Sequence, residues 1–416
     1  MPKCLAVVAV ALVAAALVGC HKPERFEDMP RLDYNRPLPP GAQALRKITD
    51  PARLPDFTTA VAQTAGLRET VDHSLAYLAK PSSQGHYPCC GITHAEAVES
   101  LKAFRALLDS GLAPAQMNAA LRRQFDVYES VGCDMRGTVL VTCYYTPIFE
   151  GSPVRTDRFR WPLYKPPADL VKQEDGTPTR RFPDRKTIES QNLYAGNELA
   201  WMADPFEAYV AQVQGTVKLR MPDGSVKTCG YTANNGHDYV SVRAELVKDG
   251  KVGKYAGLPE MIRYFRQHPT EVQTYTWRNP RYVFFADVPD GRPRGCLNEP
   301  VTAGRTLATD KSIFPRGALG FLATKLPVRR AGTIVVAPYR GFIADQDAGG
   351  AIRAPGRGDL YLGVGDEAGE LAGRAQNEGQ LYYLFLKPGQ AAPVVPATPA
   401  APAAPAAPAG ALRKDT

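Results

Sequence analysis

The sequence predicts a mainly β protein with a helical N-terminal part, and three features of the 416-residue chain predict it. Residues 57–128 carry apolar side chains at helical spacing. From Gly137 the period shortens to an alternation of β-branched and aromatic residues. Finally, residues 341–365, GFIADQDAGGAIRAPGRGDLYLGVG, set Asp345, Asp347 and Asp359 among glycines and short strand-like runs. Glycine adopts positive φ at little cost and admits close backbone approach, so this stretch suits tight turns between strands. Carboxylates at strand ends are placed for chemistry, although an Asp-Gly turn that binds only backbone amides has the same composition.

Composition narrows the class. With 44% hydrophobic and 22% charged residues the chain is globular and long enough for more than one domain. A net charge of +8 favours an anionic polymer or surface as partner. No basic cluster is interleaved with aromatics, which sets nucleic acid aside.

The first twenty residues read as an address. Lys3 precedes an apolar run, residues 5–18, too short to span a bilayer, which takes about 20 residues. It closes on Leu17-Val18-Gly19-Cys20, similar to a bacterial lipobox in which Cys20 is lipidated. The alternative is a plain secretory signal with an incidental cysteine. His21, and not an aspartate, follows, which points to the periplasmic face of the outer membrane. Residues 21–55 lack periodicity and read as a tether, and residues 388–416 are a flexible Ala/Pro-rich tail.

Between these ends the elements follow in order. Residues 57–79 fit a helix or helix pair through Val61, Leu67, Val71, Leu75 and Leu78. Thr93 and Glu96 make a capping box that opens a helix stopped by Gly111, and a further helix is expected over 114–128. TVLVTCYYTPIFEGS then reads as a strand turning at Pro147. The run VAQVQGTVKLR also reads as strand, and Asp223-Gly224 and Asn235-Gly236 read as hairpin turns. A short helix over 259–267 interrupts the β pattern, which returns at 281–288 and beyond Leu307.

Cys89, Cys90, Cys133, Cys143, Cys229 and Cys296 are an even set, which favours disulfides in an exported protein. The cluster His86, Cys89, Cys90 and His94 has zinc-ligand residue types, but its spacing matches no common metal pattern, so no metal is expected.

Several motifs together resemble the membrane-bound lytic murein transglycosylase A family. They are Tyr144-Tyr145-Thr146-Pro147, Pro162-Leu163-Tyr164, Gln212-Val213-Gln214-Gly215 and Asn235-Gly236-His237 with Tyr231 and Tyr239. Further on come Asn279-Pro280 with Phe284-Phe285, Asp310-Lys311-Ser312-Ile313-Phe314-Pro315, Asp347-Ala348-Gly349-Gly350, Gly358-Asp359-Leu360-Tyr361 and Gly365-Asp366-Glu367. They run in family order over residues 139–386.

The resemblance implies two domains with a groove between them: a double-psi β-barrel carrying the N-terminal helices, and a smaller β-barrel inserted into it. The expected layout is 56–148 and 293–387 for the first domain and 149–292 for the insert. The groove would hold a peptidoglycan glycan strand, with no cofactor, and proteins of cell-wall synthesis or remodelling are candidate partners.

The reaction implied is that of an exotransglycosylase, a carbon–oxygen lyase. It cleaves the β-1,4 bond between N-acetylmuramic acid and N-acetylglucosamine, and the muramyl C6 hydroxyl attacks C1 to leave a 1,6-anhydro ring. Asp359 matches the family's acid. It must first donate a proton and then accept one, so its pKa has to lie above the usual value of about 3.9. Asp345 and Asp347 are candidates for the neighbouring carboxylate that raises it, with Asp310 as a third supporting carboxylate. Tyr145, Thr146, Gln212, Gln214, Gly215, Asn235, Gly236, His237, Gly349 and Gly350 are the expected substrate-binding set. Asp345 and Arg353 depart from the family pattern, with a lysine expected at the latter position. The rival functions are a muramidase that uses water, a wall-binding lipoprotein that does not cut, and an aspartic-protease-like site suggested by Asp347-x-Gly349, which lacks a second copy.

Overall fold

Residues 32–173, 176–254 and 256–390 are described by the structure, a computed structural model, and the fold below is that of the unit from Tyr34 onward. Cys20 and nearly all of the Ala/Pro tail lie outside the described residues. The chain opens with strand β1 (Leu45–Lys47) and then the expected helix pair, α1 (Thr58–Val61) and α2 (Leu67–Leu78). Helix α3 (His94–Asp109) begins at a complete capping box. The Glu96 amide donates to Thr93 Oγ1 at 3.2 Å, and the Thr93 amide donates to Glu96 Oε2 at 2.7 Å.

Helix α4 (Pro114–Gln124) ends four residues earlier than predicted. From Phe125 the chain is extended and forms β2 (Phe125–Ser130), because tertiary pairing of these residues overrides their helical pattern.

The turn at Pro147 separates β3 (Val139–Thr146) from β4 (Ile148–Ser152). There follow β5 (Trp161–Tyr164), α5 (Arg185–Ser190), β6 (Glu198–Met202), α6 (Pro205–Gln214), β7 (Thr216–Arg220) and β8 (Val226–Asn234). Next come α7 (Val242–Lys248), α8 (Leu258–Gln267), α9 (Val272–Thr276) and β9 (Val283–Asp287). The return leg holds β10 (Thr306–Ala308), β11 (Leu319–Arg330), β12 (Thr333–Asp347), β13 (Arg357–Val364), α10 (Asp366–Ala372) and β14 (Gln376–Leu386).

Two sequence expectations fail within the middle segment. Val210–Gln214, expected as strand, is the last part of α6, and Gly215 at φ 77° ends that helix one residue before β7. Asp223-Gly224 does turn a hairpin between β7 and β8, whereas Asn235-Gly236 leads out of β8 into a loop before α7.

Strands β3, β13, β10, β12, β11 and β14 pair in that sequence, and β14 pairs back onto β3, so the six close into a barrel. Consecutive residues split between the two faces. Leu322, Ile343, Leu381, Tyr383 and Phe385 fill the interior with Val139, Val141, Leu307 and Leu360. Phe321, Phe342, Tyr382 and Leu384 face outward onto Phe57, Leu101 and Phe104 of the helices. Strands buried on both faces read as continuous apolar runs, which is how they stand in the sequence.

The second sheet runs β5-β6-β4-β7-β8-β9 around Leu163, Ala200, Val217, Leu219 and Phe285. No ladder joins its outer strands among the described residues; Tyr164 of β5 packs beside Phe284 of β9 and Tyr282 just before it. The six cysteines from Cys89 to Cys296 form no disulfide, so that expectation is not met. Cys229 is buried inside the second sheet as a small apolar group, whereas Cys90 is partly exposed and donates its thiol to Ile313 O at 3.2 Å.

At the barrel end Asp345 is fully buried, takes hydrogen bonds from Thr309 Oγ1 (2.8 Å) and Tyr383 Oη (2.7 Å), and is ion-paired to Lys311, itself nearly buried. Removing one partner of a buried pair leaves an uncompensated charge. Lys311→Met is expected to lower unfolding stability in a urea titration by about 3–5 kcal/mol at neutral pH. An unchanged midpoint would mean that the pair is not desolvated as described.

Candidate active site

Four strands bring the site together. The ladder sets Thr142 of β3 against Asp359 of β13, Asp359 against Ala308 of β10, and Ala308 against Asp347 of β12, so these residues form one row across the barrel wall. A β-bulge re-aims the last of them. Leu307 pairs with Asp345, but Ala308 pairs with Asp347, leaving Gln346 as the extra residue. Without the bulge Asp345 and Asp347 would share a face. With it Asp345 enters the barrel, Gln346 bonds to Thr70 O (2.8 Å) and Ser74 Oγ (3.0 Å) of α2, and Asp347 lines an open groove.

Asp359 is half-buried and accepts one side-chain hydrogen bond, from Thr142 Oγ1 at 2.8 Å. Burial pushes its carboxyl up to about 6. The Thr142 hydroxyl and the Arg357 guanidinium oppose that rise, and the charge of Asp347 adds to it. Asp347 is better solvated by protein. Tyr144 Oη donates to Oδ2 at 2.6 Å, and the amides of Cys296 and Ala348 donate to Oδ1 at 2.8 Å each. Burial raises its pKa as well, but Tyr144, Ala348, Cys296 and Lys311 all favour the anion. Gly295 is needed for this approach, since a Cβ there would sit 2.6 Å from Gln346 O and 3.1 Å from Asp347 Cγ. Both carboxyls are thus raised by burial, Asp359 to about 6 with one hydroxyl donor, and Asp347 with more groups that favour its ionised form.

The groove has a cavity volume of about 930 Å³ and is lined from both sheets. Its lining holds eight lysines and arginines against four aspartates, so the surface presented to a ligand is cationic. Thr146, Gln212, Gln214, Gly215, Gly349 and Gly350 of the expected set line it. Gln212 Oε1 is already engaged by Arg185 (2.9 Å) and by the Val283 amide (3.1 Å), and Gln214 Oε1 by the Tyr145 amide (3.1 Å).

The rest of the expected set lies elsewhere. Tyr145 packs into the core against α10, where a Cβ on Gly369 would meet its ring at 2.6 Å. Asn235 is fully buried and ties Pro183 O (2.9 Å), Pro280 O (2.8 Å) and the Tyr282 amide (2.8 Å), while Gly236 packs on Pro178 and Arg181. His237 Nε2 is bonded to Phe182 O at 2.9 Å. Asp310 bonds Ser312 and the Ala354 amide (2.9 Å) and so fixes two loops to each other. No group of three or more His, Cys, Asp or Glu among the described residues is arranged to hold a metal, and His94 Nε2 instead meets Ser83 Oγ at 2.9 Å.

Sequence reasoning missed Thr142, Tyr144, Arg357 and Tyr361, all in the groove lining. The alternation of β3 carried a usable signal: Thr142, Tyr144 and Thr146 share the groove side, and Thr146 Oγ1 meets Tyr361 Oη at 2.9 Å.

Comparison with known proteins follows this geometry. The family model described as the MltA specific insert domain matches residues 140–286, and that described as the 3D domain matches residues 305–385. The membrane-bound lytic murein transglycosylase A of Escherichia coli K12 is 30% identical over 274 residues, covering 64% of this chain and 72% of the relative. A homolog from Buchnera aphidicola is 26% identical over 290 residues, covering 69% and 77%. Among solved structures, a membrane-bound lytic murein transglycosylase from Agrobacterium tumefaciens superposes with TM-score 0.68 at 27% identity, over 82% of this chain and 98% of the other. Escherichia coli MltA with bound chitohexaose gives TM-score 0.64 at 22% identity, over 86% and 98%, a likeness of fold.

The electrostatics around Asp359 can be read by titration. Thr142→Val removes a bond that favours the carboxylate, so the Asp359 pKa is expected to rise above about 6, and Asp347→Asn removes a nearby negative charge, so it is expected to fall. Carboxyl carbon-13 NMR titration of the parent and both variants checks the two signs. Shifts in the same direction in both variants would contradict the arrangement.

Proposed function

This chain belongs to the membrane-bound lytic murein transglycosylase A family, and we propose that it cleaves the β-1,4 bond between N-acetylmuramic acid and N-acetylglucosamine in peptidoglycan without consuming water. The observation that carries the reading is a single carboxyl held at about 6 on the floor of a long groove between two β-sheets. Half-protonated at that pH, Asp359 can lend its proton to the leaving oxygen of N-acetylglucosamine as the bond to the muramyl C1 breaks. The carboxylate so formed then takes the proton of the muramyl C6 hydroxyl as that oxygen bonds to C1. Every proton is accounted for, and the product ends in a 1,6-anhydro ring.

The second step needs the anion of Asp359 to be tolerable inside the groove wall. Thr142 and Arg357 supply that tolerance, since both favour the ionised form. The Asp347 carboxyl, with three hydrogen-bond donors that favour its ionised form against the effect of burial, is suited when ionised to stabilising positive charge that develops at C1. A hydrolase of the two-carboxylate kind needs a second group free to activate water. The three donors on Asp347 make it a poor candidate for that task.

In this reading the enzyme is a polysaccharide lyase of the exotransglycosylase type. The relatives named above are described as membrane-bound. No helix among the described residues is long and apolar enough to cross a membrane. A lipid on Cys20 is the proposed anchor, at the periplasmic face of the outer membrane.

Mass spectrometry of peptidoglycan digested by the soluble protein lacking residues 1–20, beside its Asp359→Asn variant, tests the chemistry. The expected products end in anhydromuramic acid, one water lighter than those of a muramidase, and the variant is expected to lose roughly 10²–10⁴-fold in rate. Reducing-end products would make the enzyme a hydrolase, and binding without cleavage by the parent would make it a tethering protein.

A further inference from the structure

Arg316 and Arg357 both line the groove, and in each the Nε–H is shielded from solvent and finds no acceptor among the described residues. Most of the other groove cations are differently placed. Lys311 is paired with Asp345, Arg185 with Glu189 and Arg294 with Asp290, while Lys172 donates to Thr232 O and Oγ1. Arg357 stands near Asp359, and among the described residues its guanidinium makes one hydrogen bond, a long one, Nη2 to Thr142 Oγ1 at 3.5 Å. Arg316 stands near Cys296, whose amide holds Asp347. Its backbone is fixed, because Tyr87 Oη donates to Arg316 O at 2.6 Å and the next amide donates to Asp345 O at 2.8 Å.

A buried N–H without an acceptor costs about 1–3 kcal/mol, and arginine cannot escape the cost by losing its proton. A guanidinium fork is matched by a planar carboxylate, which supplies both acceptors and the opposite charge. We propose that Arg316 and Arg357, the latter near Asp359, are carboxylate-binding residues that make the groove read negative charge on the glycan strand. This rests on the peptidoglycan reading above and adds to it that the groove prefers anionic strands to neutral ones of the same backbone. Peptidoglycan offers two sources of the group. One is the lactyl carboxylate of muramic acid where no peptide is attached, and the other is the set of carboxylates on the stem peptide.

Binding to the full chain carrying Asp359→Asn separates recognition from cleavage. The probes are chitohexaose, which is neutral, glycan strands stripped of peptide, and strands that keep it, each measured by calorimetry at low and high salt. Both charged strands, or the peptide-bearing one alone, are expected to bind more tightly than chitohexaose, with an advantage that shrinks as salt rises. Arg316→Gln and Arg357→Gln are each expected to weaken the charged strand about tenfold, and with Arg316→Gln chitohexaose is expected to stay within about twofold, which also shows that this variant folds. A response on stripped strands assigns the lactyl group, and a response confined to peptide-bearing strands assigns the stem. Equal affinity for neutral and charged strands, or equal loss on both in the variants, overturns the proposal and leaves the enzymatic reading intact. Failure of the Asp359→Asn protein to bind any of the three glycans counts instead against the peptidoglycan reading itself.

Discussion

Asp359, pushed up to about 6 by burial, stands on the groove side of the barrel wall, and its place there depends on closure of the six strands. β13 lies between β10 and β3, with Leu360 in the barrel core and Cys143 behind the wall. Pairing of β14 with β3 is what prevents β3 from being a sheet edge open to solvent. The position of Asp359 is therefore set by the closed barrel, and its immediate neighbours act on it there.

Burying carboxylates this densely requires each to be treated differently. Asp345 is neutralised by Lys311 and two hydroxyl donors, and it serves the barrel interior. Asp347 has three donors that favour its ionised form, one of them an amide that only a glycine at 295 lets approach. Asp359 receives one hydroxyl and a nearby but unbonded guanidinium, less than either neighbour, and burial pushes it up to about 6. The gradient in hydrogen-bond support across three nearby aspartates separates their roles more clearly than their spacing in the chain does.

Local rules legible in the sequence correspond to local devices in the structure. The capping box at Thr93 and Glu96, the turn at Pro147, the Asp223-Gly224 hairpin and the change of period near Gly137 all need only neighbouring residues to form. Where two readings of one run were equally good, the chain alone could not choose. Val210–Gln214 is apolar enough for a strand, yet the Asp204 side chain caps a helix ahead of it and Gly215 ends that helix. The groove was only partly legible. The YYTP motif marks the right place, but which tyrosine faces the ligand follows from the register of β3 against β13 and β14. Thr142 and Arg357 look like ordinary strand residues until residues 142, 308, 347 and 359 are set in one row by three pairings, one of which joins residues 142 and 359 across more than two hundred positions. The bulge at Gln346, which divides Asp345 from Asp347, has no sequence signature beyond the three residues themselves.

The second sheet supplies the other wall of the groove, and its rigidity has a definite source. Arg185 is almost wholly buried and its guanidinium donates to four acceptors in three parts of the segment: Gln212 at the end of α6, Asn279 O and Arg281 O ahead of β9, and Glu189 of its own helix α5. Tyr209 and Tyr282 cover its faces at 4.9 and 5.2 Å. Such a buried cation is tolerated because every direction is answered, in contrast with the unanswered Nε of Arg316 and Arg357. Two uses of one residue type are thus distinguished by their partners alone. Where the protein supplies all the acceptors the arginine is architecture, and where it withholds them in a cationic groove the acceptor has to come from the ligand.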